Sequence, residues 1–355
     1  MNKLTVGIIF GGVSSEHDIS CISAKSIIEN IDLNKYNIVI IGITKQGKWF
    51  IFNDNINLLP EDKWLRSRNL TPAFICPDAS VGGVITARGD IIKLDVVFPV
   101  LHGKNGEDGT IQGLLQLAQI PFVGCDATSS GVCMDKAVAN AVADAFNIPQ
   151  AKWFAISQYD YNLKGSELLD RAIEHLGFPI FVKPANAGSS VGISKAHSKE
   201  ELVNAMAVAF KEDKKAVLEE FIDGFEVECA VLGNNNPIAG EVGQILAAAE
   251  FYDFDAKYNN PQSETLIPAD IPEDKRNEVK AQALKAYKAL GCEGMSRIDF
   301  FVTKDDGRVL LNEINTIPGQ TSISMYPKLF EAVGISYKEL IDRLISLALE
   351  RGGKI

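Results

Sequence analysis

The chain has 355 residues, 46% hydrophobic and 23% charged, with 35 Lys and Arg against 46 Asp and Glu for a formal charge of −11. That length exceeds one compact core and asks for roughly two or three domains, enough to enclose a cleft between them. The acidic balance excludes a surface built for phosphate backbones, which needs clustered Lys and Arg, so no nucleic-acid partner is expected, while local basic sites for a nucleotide stay open. Glycine and proline contents are ordinary, with no low-complexity tract or clear repeat. Cys21, Cys76, Cys125, Cys133, Cys229 and Cys292 contain no C-x-x-C pair, so they are expected to be buried thiols, not a zinc site or a disulfide framework. Met1 to Phe10 carries one Lys and reads as a short strand, unlike a signal peptide or a spanning helix, which predicts a cytoplasmic protein with no membrane partner.

Leu4 to Phe10 is an apolar run ending at Gly11-Gly12, and Ser15 to Asn30 follows as an amphipathic helix. The turn GGVSSEH lacks the G-x-G-x-x-G spacing of a dinucleotide site, and its Glu16 suits an ammonium group instead. Tyr36 to Ile43, Leu94 to Leu101 and the short Pro121 to Gly124 are further strands, which predicts a mostly parallel sheet over the first 124 residues. The Gly-rich loop LHGKNGEDG at Leu101 lies at a strand end, where ligands of open α/β sheets bind. His102 fits either that role or a structural one holding the loop.

Ser129 to Phe146 reads as one helix carrying Lys136, which either aims an ammonium at a phosphate or is simply solvated. Strands at Trp153 to Ser157, Pro179 to Lys183 and Ala216 to Ile222, with helices at about 165–176 and 198–209, form a second small α/β unit. Lys183 leaves its strand just before AGSSVG, whose Ser189 and Ser190 sit among glycines. An ammonium followed by a Gly/Ser loop of free N–H groups is a phosphate grip, though not a P-loop, since the Lys precedes the glycines. Glu219, Glu220, Phe221, Ile222 and then Glu226 offer polar and apolar contacts suited to an adenine pocket and a ribose edge, or to a strand linking two domains.

Val227 to Leu232 and Pro237 to Ile245 flank the turn-rich GNNN. Ala247 to Pro268 has no clear period and reads as a long loop, which in a compact domain is usually functional. Glu273 to Leu290 and Tyr337 to Glu350 are closing helices. Between them, Gly294 to Gly319 turns at Asp305-Asp306-Gly307. A three-residue loop centred on Asp306 with Gly307 left-handed sets Asp299 opposite Glu313. Alternation then puts Arg297, Asp299, Glu313 and Asn315 on one face and Ile298, Phe300, Val302, Leu310 and Ile314 on the other. Carboxylate and amide oxygens on one face suit hard Mg²⁺ beside a nucleotide phosphate. A solvated salt-bridged face is the plain alternative, but the NTIPGQTS tail, rich in small residues that let an anion approach, favours the metal site.

With these segments in view, the chain resembles D-alanine–D-alanine ligases over nearly its whole length. Seven segments match in order: GGVSSEHDIS, LHGKNGEDGTIQG, MDK, VKPANAGSSVG, YDFDAKY, RIDFF and LNEINTIPGQTS. The resemblance implies an α/β (α+β) ATP-grasp fold in three domains. These are 1–124, an N-terminal open parallel α/β domain that binds amino acids, then 125–222 and 223–355, central and C-terminal domains holding ATP between two sheets. It implies ligation of two D-alanines with ATP and two Mg²⁺ or Mn²⁺ ions, for peptidoglycan precursors, by a homodimer. Lys136, Lys183 and Ser190 would hold phosphates, Glu219 to Ile222 and Glu226 adenine and ribose, and Asp299, Glu313 and Asn315 the metals. Glu16 would hold the first ammonium, with His102 beside it. Arg297 and the Gly319 N–H would stabilise the oxyanion, and Ser324 would anchor the second carboxylate. Lys257 and Tyr258 would belong to a closing lid, with Tyr258 reaching Ser189 and Glu16. Lys104-Asn105 and Gly124-Cys125-Asp126 look somewhat like relatives that add D-serine or D-lactate. Asp255 to Tyr258, and Met325 where several of those relatives carry Arg, favour D-alanine as second substrate.

Overall fold

The computed structural model describes residues 3–246 and 264–354. Among these residues, β1 (Leu4–Gly11), β2 (Tyr36–Ile43), β3 (Trp49–Phe52), β4 (Leu70–Ile75), β5 (Gly83–Thr86), β6 (Ile91–Lys93) and β7 (Val96–Pro99) form one sheet in the order β6-β5-β4-β3-β2-β1-β7. β1 pairs in parallel with β2 and β7, and α1 (His17–Asn30) makes the crossover, burying Cys21, Ala24 and Ile27. The mostly parallel sheet expected over the first 124 residues is parallel only at β2, β1 and β7, at one end of the sheet. β3 to β6, which the sequence did not mark as strands, extend it antiparallel. They are short and several are joined by turns, so each folds back on its neighbour, whereas a parallel return needs a dozen or more residues. Pro121 to Gly124 contributes only an isolated bridge between Val97 and Phe122.

The second sheet is antiparallel, in the order β10-β9-β11-β8, from β8 (Trp153–Ser157), β9 (Ile180–Pro184), β10 (Ser194–Ala196) and β11 (Lys215–Glu220). Helices Gln158–Leu176 and Lys199–Glu212 pack on it through Leu169, Ala172, Leu202 and Met206 against Ile180, Val182 and Leu218. β11 stops at Glu220, so Phe221 and Ile222 lie in the connection to the next sheet and not in a strand.

The third sheet, also antiparallel, runs β14-β13-β12-β15-β16, from β12 (Gly224–Gly233), β13 (Ile238–Leu246), β14 (Glu264–Leu266), β15 (Gly294–Thr303) and β16 (Val309–Asn315). Helix Glu273–Ala289 covers one face through Val279, Ala283 and Tyr287. Helices Met325–Glu331 and Tyr337–Arg351 bury Tyr326, Leu329, Leu344 and Ile345 in a cluster shared with Val6, Ile8 and Phe10 of the first sheet. At about 1.5 to 3 kcal/mol per buried large apolar side chain, that shared core sets the first and third sheets firmly against each other. Of the loop expected at 247–268, residues 247–263 lie outside the described ones, and 264–266 form β14. All six cysteines are buried free thiols. No helix among the described residues is long and apolar enough to cross a membrane.

Candidate active site

β1 ends in a turn that needs glycine. Gly11 and Gly12 have φ of +86° and +99°, and a Cβ on Gly11 would stand 2.2 Å from the Ile43 carbonyl oxygen. This turn sets Glu16 at the start of the following helix, where it is buried and its Oε1 accepts a hydrogen bond from Ser189 Oγ at 2.5 Å. Ser189 comes from the loop after β9, 173 residues along the chain. Ser189 and Ser190 both have positive φ, +50° and +57°, a costly geometry of about 1 to 3 kcal/mol each for residues with a Cβ. Strain of this kind at a loop facing a cavity marks a segment shaped for contact, not for stability alone.

The LHGKNGEDG loop closes on the same place. A Cβ on Gly103 would lie 2.4 Å from Glu16 Oε2, so the glycine admits the carboxylate. His102 is buried, its Nδ1 3.1 Å from the Ile317 carbonyl and its Nε2 3.0 Å from Ser23 Oγ. A proton on Nδ1 then donates to the carbonyl, and Nε2 accepts from the hydroxyl. His102 thus ties the first sheet to the tail after β16, which meets the loop-holding reading, and it also lines the cavity.

The helix expected from Ser129 to Phe146 is broken into Ala127–Met134 and Lys136–Ala145. Asp135 causes the break: its side chain accepts from the N–H groups of Ala137 and Val138 and starts a new helix. Lys136 is therefore a first-turn residue, and its Nζ donates to the Ala187 carbonyl at 2.8 Å. Desolvation, with the Lys183 ammonium adding to it, holds Lys136 below the ordinary lysine range. Lys183 sits 2.6 Å from Glu219 Oε2 and donates to Asn312 Oδ1 at 3.2 Å. Burial opposes its charge, but the Glu219 carboxylate outweighs that and raises its pKa. Glu220 instead accepts from the Lys152 N–H, and half-exposed Phe221 stacks on Phe181 under the Lys195 ammonium.

The hairpin pairs Asp299 with Glu313 and Arg297 with Asn315, as the spacing predicts. The route differs. Val302 pairs with Val309 and Phe300 with Leu311, and Asn312 is then an extra residue on β16, a bulge that shifts the register by one. In consequence Leu311 and Val309, not Leu310, join Ile298, Phe300 and Val302 in the core, and Asn312 is turned toward Lys183. Arg297 grips Asp299 with two bonds, Nε to Oδ1 at 2.7 Å and Nη2 to Oδ2 at 2.6 Å, and Asn315 Nδ2 donates to Asp299 Oδ2 at 3.0 Å. Burial works against the guanidinium charge, but Asp299 and then Glu228 outweigh it and keep it protonated. Three acids, Glu228, Asp299 and Glu313, thus stand about one guanidinium. Glu313 and Asn315, which line the cavity, and Asp299 beside them offer hard oxygens with excess negative charge, which fits a divalent cation.

One cavity gathers Glu16, Lys136, Ser189, Ser190, Arg297, Glu313, Asn315 and Gly319, with His102 and Glu107. A Cβ on Gly319 would come 2.7 Å from Ser324 Oγ, so those two residues are adjacent. Met325 is not brought to this cavity: it is buried with Tyr326 and Leu329 and packs over Gly243. Lys257 and Tyr258 lie outside the described residues. Sequence reasoning missed Glu107, Asn312 and Glu228. Only Glu228 had a signal, since a Glu inside the apolar strand ECAVLG requires a buried partner. Glu226 lies two residues before it on the same strand face, among the charges acting on Lys183.

The comparisons with known proteins agree with one another. The family described as D-ala D-ala ligase N-terminus matches residues 5–125, and that described as D-ala D-ala ligase C-terminus matches 142–346. A D-alanine–D-alanine ligase of Caldicellulosiruptor bescii is 49% identical over 99% of this chain and 96% of its own. One from Acetivibrio thermocellus is 47% identical over 99% and 97%. Among solved structures, the VanG D-Ala:D-Ser ligase from Enterococcus faecalis has a TM-score of 0.91 at 40% identity, covering 98% of this chain and 100% of that one. The D-alanine-D-alanine ligase from Coxiella burnetii has a TM-score of 0.86 at 36%, covering 99% and 97%. The three-sheet α/β architecture is the ATP-grasp fold these relatives share. The chain belongs to the D-alanine–D-alanine ligase family.

Proposed function

We propose that the protein joins two D-alanines into D-alanyl-D-alanine at the expense of ATP, through a D-alanyl phosphate, in cytoplasmic peptidoglycan precursor synthesis. The observation that carries this reading is the cavity where the Glu16–Ser189 contact meets Lys136, Arg297, Glu313 and Asn315. The residues would divide the work among the units 1–124, 125–222 and 223–355. Glu16 receives the ammonium of the first D-alanine, and Lys136, Lys183 and Ser190 hold ATP phosphates. Glu219 to Ile222 and Glu226 face adenine and ribose. Asp299, Glu313 and Asn315 supply the oxygens for two Mg²⁺ or Mn²⁺ ions, which when bound neutralise phosphate charge.

The first D-alanine carboxylate attacks the γ-phosphate, releasing ADP and forming the acyl phosphate. The amine of the second D-alanine then attacks the acyl carbon and phosphate leaves. Arg297 and the Gly319 N–H face the developing oxyanion, where fixed donors contribute most. Ser324 takes the second carboxylate. A homodimer belongs to the same proposal and is tested by light scattering.

Addition of D-serine or D-lactate is the minor alternative, and the likeness to the VanG ligase is what raises D-serine. Product analysis by mass, with enzyme, ATP, Mg²⁺ and equal D-alanine, D-serine and D-lactate, separates the two. D-alanyl-D-alanine as main product supports the first reading, a mixed dipeptide or depsipeptide supports another second substrate, and absence of any ADP-coupled product overturns both.

A further inference from the structure

Arg297 is gripped by acids from two sides. Asp299 accepts two hydrogen bonds, the single Nε–H among them, and Glu228 Oε2 stands 3.1 Å from Nε as an ion pair. Glu228 and Asp299 are each 2% exposed and face one another across the β12–β15 pair. A guanidinium already neutralised by one buried carboxylate gains little from a second, since burying that second charge is itself unfavourable. Glu228 therefore fits a state in which Asp299 is no longer given wholly to Arg297. The proposed function supplies that state, and this inference rests on it: there the Asp299 oxygens are shared with a cation, and their hold on the guanidinium weakens. Arg297 lines the cavity, whereas Glu228 stands behind it on the neighbouring strand and is not among the lining residues.

The geometry points to Glu228 as a positioning residue for Arg297. It anchors the guanidinium by its Nε edge while Asp299 serves the nucleotide-bound cation, so the donors facing the cavity keep their aim. Glu228 touches no substrate in this assignment and acts only through Arg297. Misplacing one donor by an ångström lowers the chemical step far more than ground-state binding.

The test uses the full-length enzyme with Glu228→Gln, which keeps size and removes charge, and Glu228→Asp, which keeps charge on a shorter arm. For Glu228→Gln, kcat should fall on the order of 10- to 100-fold, with KM for ATP and the first D-alanine within about twofold. Glu228→Asp should restore part of the lost kcat, and thermal unfolding shows whether each variant is folded. Unchanged kcat in a folded Glu228→Gln, or a loss carried by KM alone, overturns the assignment. If Glu228→Gln does not fold, the kcat-against-KM split in Glu228→Asp decides the matter by the same criterion. The wild-type enzyme is run beside them: no D-alanyl-D-alanine from wild type sinks the proposed function, whereas equal product from wild type and variant sinks only the role of Glu228.

Discussion

Replacing Lys183 by Met should destabilise the protein even without nucleotide, because it strands the Glu219 carboxylate. The pair is close, 2.6 Å, and both side chains are nearly out of solvent, 12% and 11% exposed. Removing one partner of such a pair costs about 3 to 5 kcal/mol, roughly two to four powers of ten in the folding equilibrium. Lys183→Met with Glu219→Gln removes both charges and should recover all but about 1 to 2 kcal/mol. Urea unfolding followed by tryptophan fluorescence reads this, with Trp153 reporting from beside Glu219 on the β8–β11 ladder and Trp49 and Trp64 from the N-terminal unit. The pH dependence has a definite sign. Lys183 is raised in the folded state, so its contribution is complete below the unfolded lysine value of about 10.4 and is lost as pH rises through the higher folded one. The gap between wild type and Lys183→Met should thus stay level from about pH 6 to 10 and close only above it. A single variant within about 1 kcal/mol of wild type, or a double variant destabilised by the sum of the singles, refutes the reasoning.

Ser189→Ala removes the hydroxyl that donates to Glu16, a charge-assisted bond of about 1.5 to 3 kcal/mol, and should cost up to that much stability as well as lowering kcat/KM roughly 10- to 150-fold; wild-type steady-state kinetics would remove that contact from the cycle. Gly319→Ala drives a Cβ to within 2.7 Å of Ser324 Oγ and should cost about 1 to 3 kcal/mol of stability. Adding Ser324→Ala should return the stability but not the activity, and recovery of both would show that Ser324 only packs. Burial opposes ionisation of Asp62, but its contacts with His17 and Lys45 outweigh that and hold it below the ordinary carboxylate range. Its contribution is present above the unfolded value of about 3.9 and lost as pH falls through the folded one, so the stability gap to Asp62→Asn should be level above about pH 5 and shrink below about 4. A gap independent of pH down to 3 would contradict this.

The features legible in the amino-acid order are those made by neighbours in sequence. Apolar runs ending at Gly11-Gly12 and at Pro184 marked strand ends, and Asp305-Asp306-Gly307 marked the hairpin, because turn chemistry and period-two alternation act over a few residues. Asp135 could have been read as a helix start from its residue type, yet the apolar periodicity on both sides of it runs on without a gap. The Asn312 bulge left no such mark, and it moved Leu310 and Leu311 to opposite faces from those expected.

By itself, then, the sequence determined the family, the strand–turn–helix units and the residue types of the cavity. Tertiary structure alone decided that Ser189 donates directly to Glu16 across 173 residues, that β3 to β6 widen the first sheet antiparallel, and that Glu228 shares Arg297 with Asp299. Local order depends on torsional preference and periodicity, which neighbours set. The pairing of distant charges is settled only when buried groups must find partners in a closed core, since an unpaired buried charge costs more than any local preference returns.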